Sequence, residues 1–300
     1  MITFIGVGTM GGGMAMNLIK AGYEVRVIAS RSRDKLKQFE QAGAKASMNT
    51  LDAVDSEYIF MCLPSVESVE SVLFGGNGLV KNLTGRHVII DCSTVGFLYA
   101  KDTGEKLEQL GIDYLDAPVS GHKAKADDGT LTIMVGGKKE VFTEILPMFE
   151  VMGKTILHMG GYGAGQLTKM INNCALNICT ASFCELMPLG VKMGLDPEKI
   201  GEVLMTASGS SYASKSLIPE ILKGNFEYGF SMERAYKDML NIFELTGKYA
   251  VPLPTLSGTM QTYQLALQNG YGKDYKGAMI KFFEDMLNVK CRGENTDDDA

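Results

Sequence analysis

The chain has 300 residues, of which 45% are hydrophobic and 21% are charged, and its formal net charge is −6. This composition is typical of a globular enzyme that buries a sizeable core in one or two domains. The acidic balance argues against a nucleic-acid partner, because there is no excess of Lys and Arg to neutralise phosphates.

The cysteines and the apolar runs predict a cytoplasmic protein without a membrane partner. The six cysteines show no metal-ligand spacing such as C-x-x-C, and free thiols suit a reducing compartment. Residues 1–4 form a strand-like segment rather than a basic leader. The apolar run that follows Asn173 contains Glu185 and Lys192, so we expect a buried helix rather than a membrane span.

A glycine-rich turn follows the first predicted strand, residues 2–5. It reads Gly6-Val7-Gly8-Thr9-Met10-Gly11, and a helical pattern begins at about Gly13. In a G-x-G-x-x-G turn the glycines allow a pyrophosphate to approach the backbone at the helix N-terminus. Such a motif alone is weak because many glycine loops are only turns, but a strand before it and a helix after it predict a dinucleotide site.

The end of the second predicted strand, residues 24–29, favours NADP over NAD. An NAD site usually has an acidic residue about 20 residues after the glycines, to bind the ribose 2′-hydroxyl. The chain has Ser30, Arg31 and Ser32 there instead, a plausible pocket for a 2′-phosphate. The alternative is that Arg31 and Arg33 merely begin a solvent-exposed helix.

Further apolar strands, at residues 58–63 and 87–92, end in polar loops. Ligands of open α/β sheets gather at the carboxyl ends of strands, so Leu63, Pro64 and Thr94 are candidate cofactor contacts, although ordinary loop chemistry explains each of them equally well. Later strands are predicted at residues 114–121, 131–137 and 155–159. The alternation of strands and helices predicts a doubly wound, Rossmann-type parallel sheet.

After Gly165 only helical patterns remain, which predicts a separate all-α domain. The expected division is a dinucleotide-binding domain at 1–162, a helical substrate and oligomerisation domain at 163–289, and a disordered acidic tail at 290–300. The helical domain opens with Lys169, Asn172 and Asn173, which share one helix face at i, i+3 and i+4. A Lys in such a setting can donate or accept a proton, whereas the alternative is an exposed Lys in a surface pair.

Five ordered segments resemble the β-hydroxyacid dehydrogenases related to 3-hydroxyisobutyrate dehydrogenase, over roughly residues 2–288. The segments are Phe4 to Gly11, Leu63-Pro64-Ser65, Asp116 to Gly121 with Gly129-Thr130-Leu131, Gly165-Gln166 through Lys169 to Asn172-Asn173, and Lys237-Asp238. The resemblance implies hydride transfer between a small hydroxyacid and its semialdehyde. It also implies a homodimer or homotetramer formed through the helical domain.

The resemblance assigns roles to individual residues. Lys169 matches the catalytic lysine, and Asn173 matches a substrate-orienting amide. Ser120 and Gly121 match the loop that holds the substrate carboxylate. Lys237 matches the lysine that closes over the nicotinamide, although Glu233 and Lys237 are also spaced as an ordinary i, i+4 surface pair.

One departure concerns the substrate loop, where the family usually has Ser-Gly-Gly and this chain has His122 after Gly121, followed by Lys123. Either His122 points outward into solvent, or His122 or Lys123 binds a second polar or anionic group of the substrate.

Two other interpretations of the chain remain open. One is another reductase of the superfamily, such as an imine reductase or a sugar-acid dehydrogenase, and the other is a catalytically silent dinucleotide-binding scaffold.

Overall fold

The computed structural model describes residues 1–29, 33–227 and 229–293. By its internal contacts the chain divides into two units, Met1–Lys169 and Met170–Ala300. The division falls inside a long helix, slightly after the boundary at 162/163 that the loss of strand signals predicted.

The first unit contains one sheet. Its strands are β1 (Ile2–Ile5), β2 (Val25–Ile28), β3 (Lys45–Ser47), β4 (Tyr58–Met61), β5 (Val88–Asp91), β6 (Asp113–Asp116), β7 (Val119–Ser120), β8 (Leu131–Gly137) and β9 (Gly153–Gly160). The order is β3-β2-β1-β4-β5-β6-β8-β7, with β9 paired to β8. The strand order reverses beside β1, as it does in a Rossmann-type sheet. The predicted fold class is therefore confirmed.

The sheet is not parallel throughout, because β8 runs antiparallel to both β6 and β7. Residues 121–130, which join β7 to β8, are fewer than the dozen or so that a parallel crossover needs. The short edge strand β3 is also absent from the predicted strands. Its sequence, Lys-Ala-Ser, offers no apolar run by which to find it.

Helices cover both faces of the sheet. They are α1 (Gly11–Lys20), α2 (Lys37–Gln41), α3 (Val66–Phe74), α4 (Phe97–Gln109), α5 (His122–Asp127) and α6 (Lys139–Glu150). Alternate strand residues enter two separate cores: Phe4 and Phe60 pack with α1 and α6, whereas Ile5 and Ile59 pack with α3 and α4. This alternation follows from the two-residue period of a strand, and it explains why these strands are apolar on both sides.

The second unit is helical. Its helices are α7 (Ala164–Lys192), which begins in the first unit, and α8 (Pro197–Thr206), α9 (Tyr212–Leu222), α10 (Met232–Tyr249), α11 (Pro254–Gln268) and α12 (Ile280–Leu287). Helix α7 is, among the described residues, the one helix long and apolar enough to cross a membrane, with 44% of its most apolar 18-residue window buried in the chain. Glu185 on this helix accepts a hydrogen bond from Thr262. Core helices of water-soluble proteins pass the same length test, so this finding is weak evidence for a membrane span.

Residues 290–293, which the sequence assigned to a disordered tail, are packed in the structure. Cys291 is fully buried, and Arg292 forms a two-pronged ion pair with the buried carboxylate of Glu284, at 2.7 and 3.0 Å. The Cys291 backbone N–H donates to the same carboxylate. The predicted tail therefore begins too early, because a partner eight residues upstream holds Arg292. Residues 294–300 lie outside the described part of the chain.

We expect Arg292→Ala to destabilise the second unit by about 3–5 kcal/mol, because it leaves the Glu284 carboxylate buried without its partner. Thermal and urea unfolding followed by circular dichroism would measure this loss. The matched control is Lys290→Ala, which removes an exposed Lys from its pair with the exposed Asp285 and should cost about 0–1 kcal/mol. Equal losses in the two variants would contradict the prediction.

Candidate active site

The glycine-rich turn between β1 and α1 has the geometry of a phosphate-binding loop. Gly6 has a φ of +92°, and a Cβ atom added there would lie 3.0 Å from the Leu63 side chain. A Cβ atom at Gly8 would meet no atom within 4 Å, so this part of the loop is open to a ligand. Helix α1 begins at Gly11 without a side-chain cap, and its Gly12 N–H donates to the Gly8 carbonyl oxygen at 2.8 Å. The turn therefore fits a dinucleotide pyrophosphate.

The loops after β4 and β5 are joined to each other by a buried serine. The Leu63 N–H donates to Ser93 Oγ at 2.8 Å, and the Ser93 N–H donates to Asp91 Oδ1 at 2.9 Å. Burial raises the pKa of Asp91 to about 6, against the lowering effect of the Ser93 hydrogen bonds. Leu63 and Thr94, two of the three cofactor contacts predicted on these loops, thus lie on loops that share one hydrogen-bonding residue.

The start of helix α7 is bound to the end of β6 by Asp116. Its Oδ1 accepts the Gly163 N–H at 2.7 Å, and its Oδ2 accepts the Gln166 N–H at 2.8 Å. Burial raises the pKa of Asp116 to about 7, the two backbone N–H groups oppose that rise, and the Asp91 carboxylate adds to it. Asp116 therefore caps the helix that carries Lys169.

The Gln166 side chain makes a second connection, between the start of α7 and the loop after β5. Its Nε2 donates to the Ser93 carbonyl oxygen at 2.7 Å, and its Oε1 accepts the Val95 N–H at 3.1 Å. The side chain is fully buried. It contacts the residues on either side of Thr94, one helical turn before Lys169.

Lys169 and Asn173 both belong to α7, where Lys169 is half-buried. Asn173 Nδ2 donates to the buried Asp238 at 2.8 Å, so helix α10 fixes the orientation of this amide. Asn172 is exposed, and its Nδ2 donates to Asn173 Oδ1 at 3.2 Å. Asn172 thus supports Asn173.

Lys237 lies on α10 directly before Asp238, and its side chain is exposed. Within the described ranges, no ion pair joins it to Glu233. The Glu233 carboxylate lies instead against Gly272, where a Cβ atom would approach it to 2.7 Å. The surface pair that the spacing suggested is therefore not formed.

The segment after β7 has an unusual backbone. Ser120 ends the strand, Gly121 has a φ of +149°, and the exposed His122 has a φ of +57° in the left-handed region. A side chain in that region is strained, whereas glycine adopts it freely. Lys123 forms an i, i+4 ion pair with Asp127 on α5.

The predicted 2′-phosphate pocket, Ser30, Arg31 and Ser32, lies outside the described residues. The adjacent Arg33 is exposed and binds Glu40 at 3.1 Å, which is an ordinary surface pair.

Sequence reasoning quoted Asp91, Ser93, Asp116 and Gln166 only as parts of motifs and did not assign them a role. A signal existed for one of them. Gln166 is a polar residue three positions before Lys169, on the same side of the start of an apolar helix, which indicates a buried hydrogen-bonding role.

Comparison with known proteins agrees with this geometry. Residues 1–161 match the model for the NAD binding domain of 6-phosphogluconate dehydrogenase, and residues 163–283 match the model for NAD-binding of NADP-dependent 3-hydroxyisobutyrate dehydrogenase. The chain is 37% identical to 2-(hydroxymethyl)glutarate dehydrogenase of Eubacterium barkeri, covering 97% of each chain. It is 38% identical to 3-hydroxyisobutyrate dehydrogenase of Pseudomonas aeruginosa over 79% of this chain and 82% of that protein.

The fold is also that of a solved structure described as Psf3 in complex with NADP+ and 2-OPP. The TM-score is 0.80 at 25% identity, covering 94% of this chain and 99% of that one. Both halves of the chain therefore match the same group of enzymes. The chain belongs to the β-hydroxyacid dehydrogenase family, related to 3-hydroxyisobutyrate dehydrogenase, and it is an NAD(P)-dependent hydroxyacid dehydrogenase.

Proposed function

We propose that the enzyme interconverts a small 3-hydroxy or related carboxylic acid and its semialdehyde, with NADP as the hydride carrier and Lys169 as the general acid and base. The observation that carries the proposal is the attachment of α7. One turn before Lys169, Gln166 is hydrogen-bonded to the residues on either side of Thr94, on a loop where a sheet of this type binds its ligand.

The cofactor supplies the hydride when it is bound. Four groups of residues would bind it. The pyrophosphate would lie against the glycine turn, Gly6, Val7, Gly8, Thr9, Met10 and Gly11, and the 2′-phosphate against Ser30, Arg31 and Ser32. The strand loops would contribute Leu63, Pro64 and Thr94, and α10 would contribute Lys237. The structure supports this for the glycine turn through the open space at Gly8. The solved relative that contains NADP+ supports the choice of cofactor.

Lys169 has a different task in each direction. In reduction its ammonium group donates a proton to the alkoxide that forms at the substrate carbonyl, and its positive charge stabilises that oxygen. In oxidation the neutral amine first accepts the hydroxyl proton, so the oxidation rate should rise with pH. Ser120 and Gly121 hold the substrate carboxylate, and Asn173, held by Asp238, orients the substrate.

The substrate class that we favour has a second carboxylate. One relative that spans nearly the full chain is named for the dicarboxylic acid 2-(hydroxymethyl)glutarate. His122 is exposed and held in a strained backbone conformation directly after the proposed carboxylate loop. We propose that His122 binds the second acidic group.

We also propose a cytoplasmic homodimer or homotetramer. Helix α7 exposes Leu186, Leu189 and Met193, which are spaced by three and four residues and so form one apolar stripe. All six cysteines are free thiols, as a reducing compartment allows.

Two other functions remain to be separated by experiment. An imine reductase or a sugar-acid dehydrogenase would prefer other substrates, and a silent scaffold would bind the dinucleotide without consuming it. Assays with small mono- and dicarboxylic semialdehydes and with cyclic imines, using NADPH and NADH, and with sugar acids, using NADP+ and NAD+, distinguish all three.

Lys169→Ala should reduce turnover by roughly 10²–10⁴-fold, because the proton donor is lost, while the affinity for NADPH stays close to that of wild type. Steady-state kinetics and NADPH fluorescence would measure the two effects. The matched control is Lys192→Ala at the exposed end of the same helix. Turnover within a few-fold of wild type would contradict the assignment of Lys169.

Arg31→Asp should move the preference from NADPH toward NADH, because it removes the guanidinium partner of the 2′-phosphate and supplies a ribose-binding carboxylate. The ratio of kcat/KM values for the two cofactors measures the change. Arg33→Ala is the control, since Arg33 is occupied by Glu40. A ratio unchanged from wild type would exclude the predicted pocket.

His122→Gly should raise KM for dicarboxylic semialdehydes by roughly tenfold, which corresponds to the loss of one charge-assisted hydrogen bond. Monocarboxylic substrates should be affected little. Lys123→Ala, which removes only a surface ion pair, is the control. Equal effects on the two substrate classes would show that His122 does not bind the second carboxylate.

A further inference from the structure

Gln166 differs from the other polar residues at the start of α7 because its side chain connects two separate parts of the first unit. The amide reaches a carbonyl and an N–H that belong to Ser93 and Val95, more than 70 residues earlier in the chain. The residue between them, Thr94, is a proposed cofactor contact. The residue one helical turn later, Lys169, is the proposed proton donor.

The contacts require an amide with one donor and one acceptor. The Ser93 carbonyl can only accept a hydrogen bond and the Val95 N–H can only donate one, so the Gln166 amide satisfies both in one orientation alone. Neither contact is replaceable by water without opening the site, because Gln166 is fully buried and Ser93 is 1% exposed. A buried pair of this kind is costly to break.

A second anchor removes the freedom of α7 to move along its own axis. Asp116 accepts the backbone N–H of Gln166 itself. Gly165 allows the close approach, since a Cβ atom there would lie 2.7 Å from the Asp116 carbonyl oxygen and 2.8 Å from its carboxylate. The first turn of α7 is thus fixed through the backbone of Gln166 by β6 and through its side chain by the β5 loop.

We propose that Gln166 is a positioning residue for the reaction: it holds the α7 turn that carries Lys169 at a fixed distance from the Thr94 loop, and so sets the proton donor against the cofactor. This inference rests on the proposed function. It predicts that loss of Gln166 lowers kcat more than it raises the KM for the cofactor, because the glycine turn that holds the pyrophosphate does not depend on Gln166.

The decisive variants are Gln166→Glu and Gln166→Met. The Glu side chain has nearly the same shape, but an ionised carboxylate cannot donate to the Ser93 carbonyl, whereas a neutral carboxyl group can. Burial and the nearby carboxylates of Asp116 and Asp91 will raise the pKa of the introduced group into the assay range. The Met variant keeps about the same side-chain volume as Gln and has no titrating group.

Gln109→Glu, at the exposed end of α4, is the matched control for added charge.

We expect kcat to fall by roughly 10- to 100-fold in both variants at pH 8, as positioning errors of about an ångström do. Relative to wild type at each pH, the deficit of Gln166→Glu should shrink toward pH 6, whereas that of Gln166→Met should stay constant. A purely structural role would instead lower the melting temperature of Gln166→Glu and reduce its kcat by the same factor at every pH. That pattern, or a wild-type kcat in Gln166→Met, overturns the proposal.

Hydrogen exchange at the Val95 amide gives a readout that does not depend on activity. The amide should be protected in wild type and in Gln166→Glu at pH 6, and should exchange faster in Gln166→Met under the same conditions. If the wild-type enzyme reduces none of the semialdehydes, the proposed function fails, and Val95 exchange still decides whether Gln166 holds the loop. Unchanged exchange in Gln166→Met would refute the connection itself.

Discussion

The two hydrogen bonds between the Gln166 amide and the backbone around Thr94 are the interaction on which the rest of the first unit's functional arrangement depends. Each such bond contributes only about 1 kcal/mol net when formed, but a buried polar group left without a partner costs about 1–3 kcal/mol. The network therefore specifies one arrangement more strongly than it stabilises the fold. This property suits a site in which a proton donor must stay at one distance from a bound dinucleotide.

The polar side chains of α7 are held by partners that differ along the helix. Before Lys169, the anchors are Asp116 and the β5 loop, and after it Asn173 is held by Asp238 of α10. One turn further on, Asn177 accepts a hydrogen bond from the buried Lys276. An apolar helix would gain more from burying hydrocarbon at these positions, so the repeated use of amides indicates that orientation, rather than stability, is what these residues supply.

The sequence predicted those parts of the fold that are encoded locally. The strands β1, β4 and β5 are continuous apolar runs, and the glycine turn has a recognisable spacing, so both were found. The antiparallel pairing of β8, the polar edge strand β3 and the packing of Arg292 on Glu284 were not, because each depends on a partner or a connection length that no local pattern reports. The same reason hid the role of Gln166, whose hydrogen-bonding partners are 71 and 73 residues away.

The backbone at His122 argues for a separation between chemistry and specificity. A histidine in the left-handed region costs on the order of 1–2 kcal/mol, and a glycine would occupy the same position without that cost. Helix α5, which His122 begins, is held to α1 by a hydrogen bond from Asn17 to the Ala126 carbonyl. The hydrogen-bonding partners of Gln166 are Ser93, Val95 and Asp116. If His122 binds the substrate as proposed, a change of side chain at this one position would alter which acid is bound without changing the Gln166 contacts that hold the start of α7.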